Sequence, residues 1–279
     1  MRAFYEADGA RLSFTDSGAG LPIVFLHPTP LDGDYWRPLI ENLPGIRAIV
    51  PDLRGHGASE LGSNLPLGGF APVSDAPVLT MAQLGSDILA LLDHLRVEQA
   101  VFAGCSIGGN VLLELWRRAP QRMKGLVFIC AKPQPDAETN KARRVTTITR
   151  ARDGETAAIF DGMAETLVGA ATRQRNPGIV AELRARMTLT AEALVAVQAG
   201  LASRPDSVPT AATITAPVLA IAGAEDSSVT AEEMAVLQTA PGGCSFHLVT
   251  DAGHLAAYER PKAVANRMNV WLNQFVPVV

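Results

Sequence analysis

The chain reads as an α/β protein: a mostly parallel central sheet flanked by helices and interrupted by a helical lid insertion. Three observations predict this. Short apolar runs without polar alternation recur at 22–26, 46–50, 100–103, 125–131, 216–222 and 245–249, the pattern of strands buried on both faces. Longer stretches of helical spacing lie between them, as a parallel sheet with crossover helices requires. The alternation then lapses between about 133 and 209 and resumes at Pro217.

Taken in order, the opening segment 4–16 alternates clearly and predicts an antiparallel edge hairpin around Ala7-Asp8-Gly9. Residues 61–77 are rich in Gly, Pro and Ser and predict a long loop. Residues 79–95 place Leu84, Ile88, Leu91, Leu92 and Leu95 at helical spacing, and 109–118 continue in the same way. Within 133–209 only weak helical patterns occur, at 156–168, 179–187 and 191–201. The final stretch, 261–275, puts Val264, Met268, Trp271, Leu272 and Phe275 on one face. One core domain formed by 1–132 and 210–279, with 133–209 as a lid over its site, accounts for all 279 residues. Trp116 and Trp271 fall at helical positions and belong to the core.

Composition excludes several classes. The chain is 48% hydrophobic and 19% charged with a net charge of -4, so it carries no basic footprint for nucleic acid or an anionic membrane. Cys105, Cys130 and Cys244 are odd in number and widely spaced, and no metal or cofactor motif accompanies them. No apolar run reaches transmembrane length, and the first residues lack a signal-peptide core. A cytoplasmic protein with reduced thiols, no cofactor and a small-molecule substrate is the expectation. Nothing in the pattern specifies an oligomeric state.

The strongest chemical signal is Gly104-Cys105-Ser106-Ile107-Gly108-Gly109, between an apolar run and a helical stretch. Flanking glycines let the chain turn sharply, so Ser106 projects as a nucleophile beside the amides of the following helix. A serine hydroxyl needs a base, and His254, in Asp251-Ala-Gly-His, lies between the last expected strand and the last helix. The base needs an acid, and Asp226 follows the strand ending at Ala222. Glu225 is a neighbouring alternative and Asp136 a remoter one, whereas Asp251 reads as a turn residue. Oxyanion donors are expected at Ile107 and at Thr29, the one amide in Pro28-Thr29-Pro30 able to donate. His27 and Trp36 are candidates for the pocket beside that loop. His27 is expected to organise the loop rather than to move protons, and Trp36 suits packing equally well.

These pieces resemble the α/β-hydrolase superfamily, near the branch holding 3-oxoadipate enol-lactonases, small carboxylesterases and cofactor-free bromoperoxidases. The resemblance rests on residues 26–33, on 51–59 with Asp52, Arg54 and His56, on the Ser106 turn, on 223–226, and on Gly253-His254 with Glu259-Arg-Pro261. It implies an α/β-hydrolase fold and hydrolysis of a small carboxylic ester or lactone through an acyl-enzyme on Ser106. It also implies that Arg54 and His56 support a structural loop. The same residues would serve a carbon–carbon bond hydrolase or a cofactor-free haloperoxidase or perhydrolase; a non-catalytic ligand-binding protein is a further alternative. Two residues depart from the usual pattern: Pro28 stands where glycine is common, and Ile107 where methionine is. The 61–77 segment is also longer than the branch suggests. Lid arginines Arg143, Arg144, Arg150, Arg152, Arg184 and Arg186 are candidates to meet a substrate carboxylate, with a solvated helix face expected for most of them.

Overall fold

A computed structural model describes residues 1–68 and 73–275. Eight strands form one sheet: β1 (Arg2–Ala7), β2 (Ala10–Gly18), β3 (Leu21–Leu26), β4 (Ile46–Pro51), β5 (Ala100–Cys105), β6 (Met123–Ile129), β7 (Val218–Gly223) and β8 (Cys244–Val249). Their order across the sheet is β1-β2-β4-β3-β5-β6-β7-β8. The β1–β2 and β2–β4 pairs are antiparallel and every other pair is parallel.

The edge hairpin forms where expected. Asp8 and Gly9 both take positive φ, 43° and 69°, the geometry an Asp-Gly two-residue turn favours because it matches strand twist. All six residues of β5 and of β7 are buried, so both faces of the sheet centre are covered, as their unbroken apolar runs imply. Thr80 caps the helix Met81–His94 by accepting from the Gln83 amide, which starts that helix two residues later than its apolar pattern. Of the expected 61–77 loop, residues 69–72 lie outside the described residues.

Six helices lie between β6 and β7. Helix Ala191–Ala202 buries every residue from Ala193 onward, and Leu79 N–H donates to its Ala196 carbonyl at 3.0 Å. A Cβ on Gly200 would lie 1.8 Å from the Leu79 oxygen, so glycine permits this close approach. Helix Glu138–Arg152, which the apolar pattern did not announce, buries only Ile148 and Ala151. With so few buried positions it has no stripe to read.

Candidate active site

Strand β5 runs straight into the Ser106 turn, and helix Ile107–Arg118 starts at the next residue. Ser106 sits at φ 53°, ψ −116°, a conformation that costs a non-glycine residue roughly 1–3 kcal/mol. The glycines around it leave room for no side chain: a Cβ at Gly108 would meet the Leu26 oxygen at 2.1 Å, and one at Gly104 the Gly108 carbonyl carbon at 2.5 Å. Because Leu26 pairs with Gly104 in the sheet, the loop leaving β3 begins beside this turn. The Ile107 amide is the first of its helix and has no helical carbonyl behind it.

His254 and Asp226 arrive from the ends of β8 and β7. Asp226 Oδ1 accepts from the Ser228 and Val229 amides at 2.8 and 3.0 Å, and Oδ2 lies 2.8 Å from His254 Nδ1. Burial pushes the Asp226 carboxyl up, but the His254 charge, its hydrogen bond and the two amides outweigh this and hold it below the usual carboxylate range. Donation from Nδ1 to the Asp226 carboxylate leaves His254 Nε2 free to act as a base. Ser106, His254 and Thr29 line one cavity of about 570 Å³. Among the described residues, no hydrogen bond joins Ser106 Oγ to His254 Nε2.

The other acidic residues considered are engaged elsewhere. Glu225 accepts from the Ala171 amide at 3.0 Å, Asp136 binds Arg144 and Arg204, and Asp251 binds Arg260 at φ 55° in a turn. Cys130 Sγ lies within 4.8 Å of the Asp226 and His254 ligand atoms. It is a fully buried thiol whose pKa burial raises, and His254 Nδ1 is already committed to Asp226.

The loop after β3 is held by two neutral histidines. His27 donates from Nδ1 to the Pro28 carbonyl at 3.0 Å, and its Nε2 accepts from the Leu53 amide at 2.8 Å. His56 donates from Nδ1 to the Arg54 carbonyl, so its Nε2 accepts the Thr29 hydroxyl at 3.0 Å. Burial, reinforced by nearby His27, pushes the His56 pKa down to about 3 and keeps this tautomer neutral. Arg54 is buried in a two-bond pair with Asp87, at 2.8 and 2.7 Å, and also reaches the Ala7 carbonyl. His27 and Trp36 are completely buried and neither lines the cavity, so the pocket role proposed for them is not where the structure puts them. Trp36 packs instead against Phe25 and Tyr35, with ring centroids 5.3 and 4.8 Å away.

Of the six arginines named from the stretch between β6 and β7, Arg143 and Arg144 line the cavity. Arg150, Arg152 and Arg184 pair with Glu155, Asp75 and Asp161, and Arg186 lies over the Tyr258 ring. Two cavity cations escaped the sequence reading: Lys132, just past β6, and Arg204, just past helix Ala191–Ala202. Glu259 escaped too. This buried carboxylate accepts from the Gly253 and Leu255 amides at 2.9 and 3.2 Å, on either side of His254, and from the Gly169 amide at 3.0 Å. Its place in Glu259-Arg-Pro261 was visible, but the fold alone reveals what it holds.

A serine on a strained strand-to-helix turn, with a buried His–Asp pair delivered to the same cavity, defines the hydrolase class of open α/β sheets. The chain belongs to the alpha/beta hydrolase fold family, whose model matches residues 22–261. Its structure is similar to that of a thermophilic esterase from Thermogutta terrifontis, at 29% identity, 99% of each chain and a TM-score of 0.86. In sequence it is 28% identical to 3-oxoadipate enol-lactonase 2 of Acinetobacter baylyi over 81% of this chain and 79% of that one. A bromoperoxidase from Bacillus anthracis shares the fold, with a TM-score of 0.79 at 19% identity over 98% and 100% of the two chains. The protein is a hydrolase of this esterase- and lactonase-containing branch. Among the described residues, no helix is long and apolar enough to cross a membrane.

Proposed function

We propose that this protein hydrolyses a small carboxylic ester or lactone through an acyl-enzyme on Ser106. The observation that carries the reading is the 2.8 Å pair of His254 Nδ1 and Asp226 Oδ2 at the cavity that Ser106 lines. Ser106 Oγ attacks the carbonyl carbon while its proton passes to His254 Nε2. The amides of Thr29 and Ile107 hold the oxyanion, a contribution worth about 10²–10³ in rate per donor in comparable sites. The imidazolium, stabilised by Asp226, gives its proton to the departing alkoxide as the carbon–oxygen bond breaks. Water then attacks the acyl-enzyme with His254 again taking a proton. The acid leaves and Ser106 regains its hydrogen.

The test is turnover of a p-nitrophenyl ester series from C2 to C12, together with an enol-lactone, by wild type and Ser106→Ala. The reading expects wild-type hydrolysis of short esters and a loss of several orders of magnitude in the variant. Full activity in Ser106→Ala would overturn it.

A further inference from the structure

Arg186 ties the stretch between β6 and β7 to the segments that carry Thr29 and His254. It stands just past helix Ile179–Ala185, and the cavity wall does not include it. Its guanidinium lies 5.3 Å over the Tyr258 ring, and its Nη1 donates to the Tyr258 hydroxyl at 3.2 Å. That hydroxyl donates in turn to Glu182, one turn back in the same helix. Burial, reinforced by Glu182, raises the Tyr258 pKa and keeps the hydroxyl a donor. Tyr258 belongs to the short helix Ala256–Glu259 that follows His254. The other terminal nitrogen of Arg186, Nη2, lies 3.6 Å from Asp32 Oδ1, and the two side chains are 20% and 21% exposed. This nitrogen is buried and finds no hydrogen-bond partner among the described residues, so the charge of Asp32 is what offsets its burial.

Asp32 ends the loop that carries Thr29. The Pro28 carbonyl accepts from the Leu31 amide at 3.1 Å, and Asp32 then caps the turn Gly33–Trp36 by accepting from the Asp34 amide at 3.1 Å. Tyr35 of that turn stacks on Tyr258, with ring centroids 6.1 Å apart. A planar guanidinium can offer its face to a ring, one nitrogen to a hydroxyl and another to a carboxylate at the same time, which an ammonium cannot. We propose that Arg186 is a positioning residue for the reaction. It braces the Asp32 end of the Thr29 loop against the helix that follows His254, so that the Thr29 amide and the imidazole keep their places relative to Ser106. The inference rests on the acyl-enzyme reading above and adds the residue that holds its two loops together.

The experiment compares Arg186→Met, Asp32→Asn and the double variant with Arg184→Met, whose arginine pairs with Asp161 and lies over Phe160 in the same stretch of helices. The readouts are kcat and KM on p-nitrophenyl acetate and inhibition by phenylboronic acid, whose tetrahedral adduct occupies the oxyanion site. In each single variant kcat should fall about tenfold with KM nearly unchanged, since a misplacement of about 1 Å costs about a hundredfold. Boronate inhibition should weaken by a similar factor. The double variant should lose no more than either single one, and Arg184→Met should match wild type. A lower melting temperature with kcat unchanged would overturn the proposal. So would a loss that Asp32→Asn does not share, losses that multiply in the double variant, or an equal loss in Arg184→Met. Where wild type turns over no ester, the hydrolase reading fails, and hydrogen exchange decides the brace separately. Faster exchange across 28–36 and 254–260 in Arg186→Met, and not in Arg184→Met, would support it, and unchanged exchange would overturn it.

Discussion

The backbone amide of His254 donates to the carbonyl of Leu167 at 3.0 Å, so the helical insertion bonds directly to the residue proposed as base. Glu259 makes the same connection from the other side, joining the amides flanking His254 to that of Gly169. The position of the imidazole therefore depends on contacts that cross from insertion to core.

Glu259→Gln replaces one accepting oxygen with a donor that faces backbone N–H groups. The expected outcome is a 10–100-fold fall in kcat with KM little changed, because a shift of about 1 Å in a reacting group costs about that much. Steady-state kinetics on one short ester, alongside a melting curve, checks it. A fall in melting temperature with kcat unchanged would assign Glu259 to stability alone.

Asp226→Asn keeps the volume and removes the charge that selects the His254 tautomer. A fall of roughly 10⁴ in kcat is expected, by analogy with the same change in other Ser-His-Asp enzymes. Rates in the variant within tenfold of wild type would show that Asp226 does not act on His254.

Ser106 at φ 53° predicts a stability gain from its own removal. Ser106→Gly relieves the strain that Ser106→Ala retains, so the glycine variant should be the more stable by about 1 kcal/mol. Chemical denaturation of both proteins measures the difference, and equal midpoints would place the strain elsewhere.

His56 titrates at about 3 in the fold against about 6.5 in an unfolded chain. Between these values the unfolded chain binds the extra proton, so stability falls as pH drops below 6.5, by up to about 1.4 kcal/mol per unit. His27, also pushed down by burial, adds to the slope. Melting temperatures from pH 4 to 8 should therefore decline on the acid side, and less steeply in His56→Gln. An unchanged slope in that variant would contradict the assignment.

Much of this site was legible because its chemistry is tied to local backbone. The Ser106 turn needs glycines at fixed spacing, and Asp226 follows β7, whose apolar run is buried throughout, whereas β8 before His254 is an edge strand that is mostly half-buried rather than covered on both faces. The Asp8-Gly9 hairpin was legible for the same reason. What escaped depends on tertiary contact. Lys132 and Arg204 are ordinary surface residue types in sequence, and their burial at a cavity wall arises from helices that pack across the insertion. Helix Glu138–Arg152 lacked an apolar stripe, since its cavity side carries Asn140, Arg143, Arg144 and Thr147. Trp36 and His27 were read as pocket candidates from their nearness to the Thr29 loop. Nearness in sequence could not tell a side chain beneath that loop from one facing the cavity.

The most direct test of the central claim is intact-mass analysis after treatment with a fluorophosphonate, followed by peptide mapping. The account predicts one adduct per chain, located on Ser106, absent in Ser106→Ala and greatly slowed in His254→Ala. Labelling at another residue, or equal labelling of the Ser106→Ala protein, would contradict it.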